Sequence, residues 1–224
     1  MRPVDRENRI YSELADNPFD LEEGTMFSLL PRERGRLLDL GCGAGNIAVK
    51  LAEAGFTVQA ADFSPSAVKR ARDRGVDARE HDLDAAPLPF GDAAFDVVYC
   101  GDVIEHVFDP IGLLREARRV LRGSGTLLAS VPGDLRLARR VLYVLGRSPQ
   151  EPIYRAYGVA KHHTLFSYGL FRYMLETAGF RETAFRGVVK TGRSGGTVWR
   201  SRLLSRLFAT TLVFAAVPVP DAER

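Results

Sequence analysis

One acid and three regularly spaced glycines form the stretch of this sequence best suited to bind a ligand. Asp39 is followed by Gly41, Gly43 and Gly45, between an apolar run and a pattern typical of a helix. Because glycine has no Cβ, such a loop can turn sharply and a ligand can approach its backbone closely. The start of the following helix offers unpaired N–H groups to a carboxylate or a phosphate. The spacing therefore predicts a ligand-binding loop.

Two further acids follow the next two predicted strands, where a nucleoside bound to that loop would need them. Asp62 ends the second strand, seventeen residues after Gly45, and a carboxylate in this place can accept both hydroxyls of a ribose. Asp82 follows the third strand and can accept a hydrogen bond from an adenine amino group, with Leu83 packed on the ring. A helix-capping role for Asp62 and a solvated turn for Asp82 are the alternatives.

The glycine spacing differs from that of proteins that bind nicotinamide dinucleotides. Their pattern, G-x-G-x-x-G, requires a glycine at position 46, and this chain has Asn46 there. An acid, Asp39, also precedes the first glycine by two residues. A nicotinamide-dependent oxidoreductase therefore remains only as an alternative with the same class of fold.

Taken together, these motifs resemble those of the class I S-adenosylmethionine-dependent methyltransferases. The resemblance covers residues 37–133 and extends, with a last predicted strand, to residue 217. It implies S-adenosylmethionine as the cofactor, with the glycine loop around its methionine part. It also implies that Asp62 and Phe63 bind the ribose, and that Asp82 and Leu83 contact the adenine.

The fourth predicted strand resembles the family motif that lines the reaction centre. The motif covers residues 95–100, and Glu105 and His106 follow it. Ubiquinone-type O-methyltransferases carry a similar Glu-His pair beside the site of methyl transfer, which implies the same place for this pair. The resemblance also brings Cys100, at the end of the strand, close to the cofactor. We expect its thiol, like that of Cys42, to be a small buried filler rather than a nucleophile.

Two histidines are the candidate general bases for the implied reaction. Methyl transfer from a sulfonium is an in-line displacement, in which the protein mainly aligns acceptor, methyl group and sulfur. A hydroxyl acceptor benefits from a base, and histidine is best matched to neutral pH. His106 is the first candidate. One of His162 and His163, of which we take His163, is the second, because their segment commonly covers the acceptor pocket in this superfamily. A structural role is the alternative for both, and we expect His81 to be structural or to lie near the adenine.

The sequence offers no complete metal site near these histidines. In some ubiquinone-type relatives the Glu-His pair is implicated in metal binding, but Glu105 and His106 supply only two ligands. We therefore expect no metal ion. Tyr154 and Tyr157 could line the pocket of an aromatic acceptor, and Tyr11 could close over the cofactor.

Short apolar runs alternate with helical patterns along the chain, which indicates a parallel sheet covered by helices on both faces. Strands are predicted at residues 36–40, 57–61, 76–80, 95–99, 126–131, 181–189 and 210–217. Helices are predicted at residues 46–54, from 65 up to Gly75, from 110 up to Gly123, at 134–145 and at 167–178. Residues 191–201 are predicted to be a loop.

This order predicts an α/β, Rossmann-like, doubly wound fold. The resemblance implies a seven-stranded, mostly parallel sheet with one antiparallel edge strand, for which residues 210–217 are the candidate. A small helical cap is expected after the fifth strand. We expect a single methyltransferase domain over residues 1–224. Its parts are N-terminal helices (1–35), a cofactor-binding core (36–133), a cap or lid (134–166) and a C-terminal helix with strands (167–217).

The composition is that of an ordinary globular chain, with 46% apolar and 26% charged residues. No run approaches the roughly 18 consecutive apolar residues that a membrane-spanning helix needs, and the first residues lack the apolar core of a signal peptide. Cys42 and Cys100 are too few for a disulfide framework. We therefore expect a cytoplasmic protein with reduced thiols.

Charge is unevenly distributed along the chain. Residues 1–110 hold 21 acids and 12 bases (net −9), and residues 111–224 hold 7 acids and 19 bases (net +12). Such asymmetry suits an anionic substrate, a nucleic acid or a membrane surface, or a solvated basic face. Residues 134–147 combine apolar and arginine side chains at helical spacing, which suits peripheral contact with a membrane. A lid with a solvated face is the alternative.

We predict a small-molecule methyltransferase that acts on a hydroxyl group, with an aromatic, anionic or lipid-like acceptor. A nucleic-acid methyltransferase is the alternative that the basic second half permits. The sequence argues against it, because it contains no RNA-binding module. Moreover, Cys100-Gly101-Asp102-Val103 replaces the tetrapeptide carried by relatives that methylate base nitrogens. A non-catalytic S-adenosylmethionine-binding partner of another enzyme is a further alternative.

Overall fold

The computed structural model describes residues 21–148, 162–191 and 195–220. The expectations for Tyr11, Tyr154 and Tyr157 concern residues outside these ranges. The strands are β1 (Arg36–Leu40), β2 (Thr57–Asp62), β3 (Asp77–Glu80), β4 (Phe95–Gly101), β5 (Leu121–Pro132), β6 (Phe180–Thr191), β7 (Gly195–Trp199) and β8 (Thr211–Pro218). The helices are α1 (Leu21–Phe27), α2 (Asn46–Glu53), α3 (Pro65–Asp73), α4 (Pro110–Val120), α5 (Leu137–Val144), α6 (Tyr168–Thr177) and α7 (Arg202–Phe208), with a 3₁₀ turn at Ile104–His106.

The described strands form one sheet in the order β3-β2-β1-β4-β5-β8-β6-β7. Strands β1 to β5 run parallel to one another, so their carboxyl ends meet at one edge of the sheet. The chain moves from β1 through β2 and β3 in one direction, and through β4 and β5 in the other. Ligands of doubly wound folds bind outside the carboxyl ends, at the point where the strand order reverses. Here that point lies between β1 and β4.

Two strands run against the others. Strand β8 is antiparallel to both of its neighbours, β5 and β6, and β7 is antiparallel to β6 and forms the edge. The predicted α/β class and mostly parallel sheet are confirmed, with eight strands in the described residues instead of seven. The strand predicted at residues 210–217 is present and antiparallel, but it lies between β5 and β6 rather than at the edge.

The additional strand β7 lies in residues 191–201, which we predicted to be a loop. Glycine and serine are frequent in this segment, and both are typical of turns. Val198 and Trp199 favour a strand, however, and they pair with Val188 and Gly187 of β6. The loop prediction was wrong because pairing with a neighbouring strand overrides the local composition.

Side chains cap three helices where the sequence predicted their starts. Ser64, Asp109 and Ser167 each accept a hydrogen bond from the backbone N–H three residues further on, which satisfies one of the donors that a helix start leaves unpaired. The longest helix in the described ranges, α4, has eleven residues. None of the described helices is long and apolar enough to cross a bilayer.

Three helices differ from the prediction, and one of them, α5, begins at Leu137 rather than at residue 134. Helix α4 ends at Val120, before the predicted end at Gly123, because Leu121 already pairs with Phe95 of β4. Helix α7, between β7 and β8, was not predicted, and Ser201 caps its start.

The two faces of the sheet bury separate groups of apolar side chains. Along β4, Val98 and Cys100 pack in the layer that contains α4 and α6, while Val97 and Tyr99 pack in the layer that contains α1 and α2. Side chains alternate along a strand, so a strand buried on both faces carries a continuous apolar run. The strands that end at the functional edge are therefore fixed from both sides.

Candidate functional site

Backbone hydrogen bonds tie the glycine loop to the end of the neighbouring strand. The loop follows β1, and the N–H groups of Gly41 and Cys42 donate to the carbonyl of Ala61 in β2 at 2.8 and 3.2 Å. The N–H of Gly45 donates to the carbonyl of Cys42 at 2.9 Å. These bonds bend the chain back before α2 begins, so the loop has a shape set by its own backbone.

All three glycines of the loop adopt left-handed backbone conformations. The φ angles are +72° at Gly41, +51° at Gly43 and +80° at Gly45. A Cβ at Gly41 would collide with Val103, whereas a Cβ at Gly43 would have no heavy atom within 4 Å. Gly43 therefore borders open space, as the close approach of a ligand requires.

The carboxylate of Asp62 holds this loop in place. Asp62 is buried, and its two oxygens accept hydrogen bonds from the N–H of Gly43 at 2.8 Å and from the N–H of Ser64 at 2.9 Å. A carboxylate has about four lone-pair sites, so these two bonds leave capacity for the hydroxyls of a ligand. The sequence analysis missed the bond to the loop, because it joins residues nineteen positions apart.

Asp39 is a buried acid with an unsatisfied oxygen. Its side chain is 2% exposed, and its Oδ2 has no hydrogen-bond partner among the described residues. Burial, followed by the nearby Asp62, raises the pKa of this carboxyl to about 8. Buried polar atoms are normally hydrogen-bonded, so this oxygen fits the donor of a bound ligand.

The residues predicted to contact adenine lie at the end of β3. Asp82 is exposed, and its Oδ1 accepts a hydrogen bond from the N–H of Asp84 at 3.0 Å. Leu83 packs partly against the core, and Phe63 is 39% exposed. The exposed carboxylate and the two partly exposed apolar side chains suit contact with a planar, polar-edged ring.

His81 holds the turn after β3 together. Its backbone N–H donates to the carbonyl of Asp62 at 2.9 Å, and its ring Nε2 lies 2.8 Å from the carbonyl oxygen of Ala85. Because the ring bonds the turn itself, the geometry favours the structural alternative for this histidine.

Both cysteines are buried and free, as we expected. Burial, followed by the nearby Glu105, raises the pKa of the Cys100 thiol well above its ordinary value. Burial and the nearby Asp39 raise the pKa of Cys42 in the same way. A protonated, buried thiol is a poor nucleophile, so neither cysteine is equipped for covalent chemistry.

Asp102 follows the last residue of β4 in a strained conformation. Its φ is +52°, which few residues other than glycine adopt, and its N–H donates to the Oγ of Ser130 in β5 at 3.1 Å. Its side chain is exposed. Desolvation by the surrounding protein, followed by the nearby Glu22, raises the pKa of Asp102 to about 8, and Lys190 lowers it in part. Strain of this kind is frequent at functional sites.

Glu22 brings helix α1 to the same end of β4. Its Oε2 lies 2.9 Å from the Nζ of Lys190 on β6 and accepts a hydrogen bond from the Oγ1 of Thr211 on β8 at 3.1 Å. Elements from distant parts of the sequence thus meet near Asp102. Sequence reasoning missed this cluster, because neither Glu22 nor Lys190 belongs to a local motif.

The segment that carries the second candidate base is bound to the turn that carries the first. The N–H of His163 donates to the carbonyl of Glu105 at 2.8 Å. The ring of His162 lies edge-on to the ring of His106, with 5.3 Å between centroids, whereas the ring of His163 stacks on Phe108 at 4.3 Å. The structure therefore places His162, rather than His163, beside His106.

Glu105, His106 and His162 form a group with the composition of a metal site. Each offers one ligand atom, and these atoms lie within 4.8 Å of one another. The sequence analysis counted one ligand too few, because His162 comes from a distant segment. Glu105 is buried, its Oε2 has no hydrogen-bond partner among the described residues, and burial followed by Asp102 raises its pKa well above the ordinary value. The expectation that no metal ion binds stays a prediction.

Residues 38–129 match the model of a protein family described as a methyltransferase domain. We call residues 38–129 the methyltransferase domain, after the family model that they match. The matched stretch begins in β1, ends in β5 and contains every predicted cofactor-binding residue. It also contains His106, whereas His163 lies outside it. Apart from His163, every predicted site residue therefore lies within the methyltransferase domain.

Proteins of known name are similar to the methyltransferase domain in sequence. The 27-O-demethylrifamycin SV methyltransferase of Amycolatopsis mediterranei is 38% identical over 126 residues, which are 50% of this chain and 46% of the relative. The ubiquinone biosynthesis O-methyltransferase of Xanthomonas campestris pv. campestris is 37% identical over 103 residues, 42% of each chain. This chain thus spans less than half of the length of either relative.

A solved structure from Thermotoga maritima shares the fold of nearly the whole chain. That protein is described as an S-adenosylmethionine-dependent methyltransferase and possible histamine N-methyltransferase. Its TM-score is 0.71 at 22% identity, over 88% of this chain and 87% of that chain, a likeness that supports the fold alone. Other sequence relatives, from Mycobacterium tuberculosis, carry the name of probable S-adenosylmethionine-dependent methyltransferases. The relatives confirm the predicted resemblance and S-adenosylmethionine as the cofactor of the methyltransferase domain.

Gly43→Ala tests whether this glycine faces the cofactor, with Gly75→Ala as the matched control. Both positions have a positive φ and open space around an added Cβ, so each variant should lose roughly 1–2 kcal/mol of stability to backbone strain. Only Gly43→Ala should also weaken binding of S-adenosylhomocysteine, by about tenfold, which corresponds to about 1.4 kcal/mol of lost contact. Thermal unfolding and calorimetric titration measure the two effects. Equal affinities of the two variants would contradict this placement of Gly43.

Asp39→Asn tests the raised pKa of the buried carboxyl. In the folded protein this group keeps its proton up to about pH 8, but in the unfolded chain only up to about pH 4. Between these values its contribution to the free energy of unfolding falls by about 1.4 kcal/mol per pH unit. The asparagine variant lacks this loss, so its stability relative to the wild type should increase between about pH 5 and pH 8. Urea unfolding at both pH values measures the change. A stability difference between variant and wild type that does not vary with pH would exclude a raised pKa of Asp39.

Proposed function

We propose that this chain is an S-adenosylmethionine-dependent methyltransferase that moves a methyl group to a hydroxyl oxygen of a small-molecule acceptor. The observation that carries the proposal is the glycine loop with open space at Gly43, held by the buried carboxylate of Asp62 at the carboxyl ends of parallel strands. Transfer to oxygen is supported by the relatives, one of which is named for O-methylation in ubiquinone biosynthesis.

The glycine loop is assigned to the methionine part of the cofactor. Gly41, Gly43 and Gly45 give the loop its shape, and the backbone at Gly43 is open to close approach. The unpartnered oxygen of Asp39 fits a charged donor such as an ammonium group, because charge-assisted hydrogen bonds are the stronger ones. A bound cation would also favour ionisation of this raised-pKa carboxyl.

The nucleoside part is assigned to the ends of β2 and β3. Asp62 would accept the ribose hydroxyls with the lone pairs that its backbone bonds leave, and Phe63 would cover the sugar. Asp82 would accept the adenine amino group, with Leu83 against the ring. Near the end of β4, the backbone of Cys100 rather than its buried thiol would line the reacting end of the cofactor.

The protein's part in the reaction is alignment and the removal of one proton. Bound S-adenosylmethionine supplies the electrophilic methyl group and a thioether leaving group. His106 is exposed on the 3₁₀ turn after β4, where a ring nitrogen can take the proton of an acceptor hydroxyl as the oxygen attacks. His163, stacked on Phe108, offers an aromatic surface on the acceptor side. No step of this scheme uses a metal ion.

The acceptor is proposed to be aromatic, anionic or lipid-like. The positive net charge of residues 111–224 supports an anionic group on it. We further propose that residues 1–224 act as one methyltransferase domain and that the protein works in the cytoplasm, which agrees with its two free thiols. Methylation of a nucleic acid and binding of the cofactor without turnover are the alternatives that the experiments below separate.

Calorimetric titration with S-adenosylhomocysteine is the first test, with NAD as the control ligand. We expect a Kd in the micromolar range for S-adenosylhomocysteine and no binding of NAD, because Asn46 stands where the dinucleotide motif needs glycine. Binding of NAD alone would overturn the proposal. Binding of S-adenosylhomocysteine without turnover on phenols, quinols, lipids or RNA would favour a non-catalytic role instead.

His106→Ala tests the proposed base, with His163→Ala as the comparison variant. Loss of a general base lowers kcat by about 10²–10⁴-fold, while the Kd for S-adenosylhomocysteine should not change. His163→Ala should raise KM for the acceptor more than it lowers kcat. Radiolabelled cofactor and the best acceptor from a panel of phenols provide the assay. An unchanged kcat for His106→Ala would exclude it, and the reverse pattern would assign the base to His163.

A further inference from the structure

Helix α5 lies on the surface with its apolar side chains turned outward. None of its residues is buried. Leu137, Val141, Val144 and Leu145 repeat at the spacing of one helical stripe, and all four are exposed, Val144 to 87% and Leu145 to 67%. A surface helix normally turns such a stripe toward the protein core, so this orientation leaves a stripe available to a partner.

Helix α7 presents a second apolar stripe. It rests on β6 through the small side chain of Ser205, its buried residue, which lies so close to Gly187 that a Cβ there would collide with it. Leu203, Leu204 and Phe208 are exposed on α7, with Leu203 at 67%. The helix thus uses a small polar residue to dock on the sheet and leaves its large apolar side chains in water.

The two stripes lie on the same part of the surface, because α5 and α7 contact each other. We call their exposed side chains together the apolar face. It consists of Leu137, Val141, Val144, Leu145, Leu203, Leu204 and Phe208. Apolar surface from two neighbouring helices forms a larger patch than the isolated exposed side chains that are normal on a protein.

Positive charge surrounds the apolar face. Exposed arginines accompany both helices: Arg140, Arg147, Arg200, Arg202 and Arg206. Asp134, the acid that precedes α5, is buried and forms an ion pair with Arg139. The sequence contains no acid from residue 183 to residue 220. Arg202 is paired with Glu182 at 2.7 Å, and the other four arginines give the surroundings of this face an excess of positive charge.

The excess of positive charge in this rim decides which partner the apolar face fits. A second copy of the chain would bring an equally positive rim against the first, and the like charges of the two rims would repel each other. A bilayer with anionic lipids offers a uniformly negative headgroup layer above an apolar interior. An interfacial helix has this composition, with an apolar stripe for the acyl boundary and arginines for the headgroups.

We propose that the apolar face formed by α5 and α7 docks this protein on the surface of an anionic membrane. The helices lie in the plane of the interface, with the apolar side chains at the acyl boundary and the arginines at lipid phosphates. Helix α5 starts shortly after the carboxyl end of β5, so docking brings the functional edge of the sheet near the bilayer. Docking itself does not depend on the proposed methyl transfer.

Co-sedimentation of the full chain with vesicles tests the proposal. Vesicles of phosphatidylcholine with phosphatidylglycerol should bind the protein, vesicles of phosphatidylcholine alone should bind it at least about tenfold more weakly, and added salt should weaken the binding by screening. Val144→Glu combined with Leu203→Glu should reduce binding by about tenfold or more, because both apolar contacts are lost.

Thr57→Glu combined with Ser124→Glu is the matched control. These residues are exposed near the amino ends of β2 and β5, away from the functional edge, and the control adds the same charge. It should bind vesicles like the wild type. Both double variants should keep the wild-type affinity for S-adenosylhomocysteine, which verifies folding and separates docking from cofactor binding.

Three outcomes would overturn the proposal. The first is a wild-type protein that binds neither kind of vesicle, and the second is equal binding by the two double variants. The third is a wild-type dimer in light scattering that Val144→Glu and Leu203→Glu convert to a monomer without any vesicle binding. That result would assign the apolar face to a second copy of the chain.

Discussion

The geometry of the site depends on the carboxylate of Asp62. This side chain at the end of β2 accepts hydrogen bonds from Gly43 in the loop after β1 and from Ser64 before α3, so it joins two strand ends and a helix start. Asp62 is 3% exposed, and in such surroundings hydrogen bonds are stronger than in water. The loop is held on its other side by packing, since a Cβ at Gly45 would press against Ala71 of α3. The open space at Gly43 follows from these constraints.

The functional edge concentrates acids that the fold leaves incompletely paired. The pKa values of Asp39, Asp102 and Glu105 are all raised, with desolvation by the surrounding protein as the first cause. Asp39 and Glu105 each keep one oxygen without a partner among the described residues. Such groups destabilise a folded protein until something satisfies them. A cofactor with a sulfonium and an ammonium group supplies positive charge to this edge, so its binding would also stabilise the fold.

Features that depend on neighbouring residues were predictable, and features that depend on distant segments were not. The glycine loop and the start of α3 at residue 65 follow from local backbone chemistry, so the sequence located them. The contact of Glu22 with Lys190 requires the sheet to be assembled first. The choice between His162 and His163 depends on which way each ring points, and adjacent residues in an irregular segment carry no signal for that. Strand β7 escaped prediction for a related reason, since its pairing with β6 outweighs its turn-like composition.

Strand β8 connects the two parts of the sheet. In the described sheet, β5 and β6 both pair with β8, so the hairpin of β6 and β7 reaches the parallel strands only through it. Residues 211–218 leave the ribosome after all the other strands. Until they emerge, the backbone N–H and C=O groups at one edge of β5 are unpaired, and the hairpin has no neighbour in the sheet. This is the stage of synthesis at which an unpaired edge invites mispairing, and at which a chaperone would have most to protect.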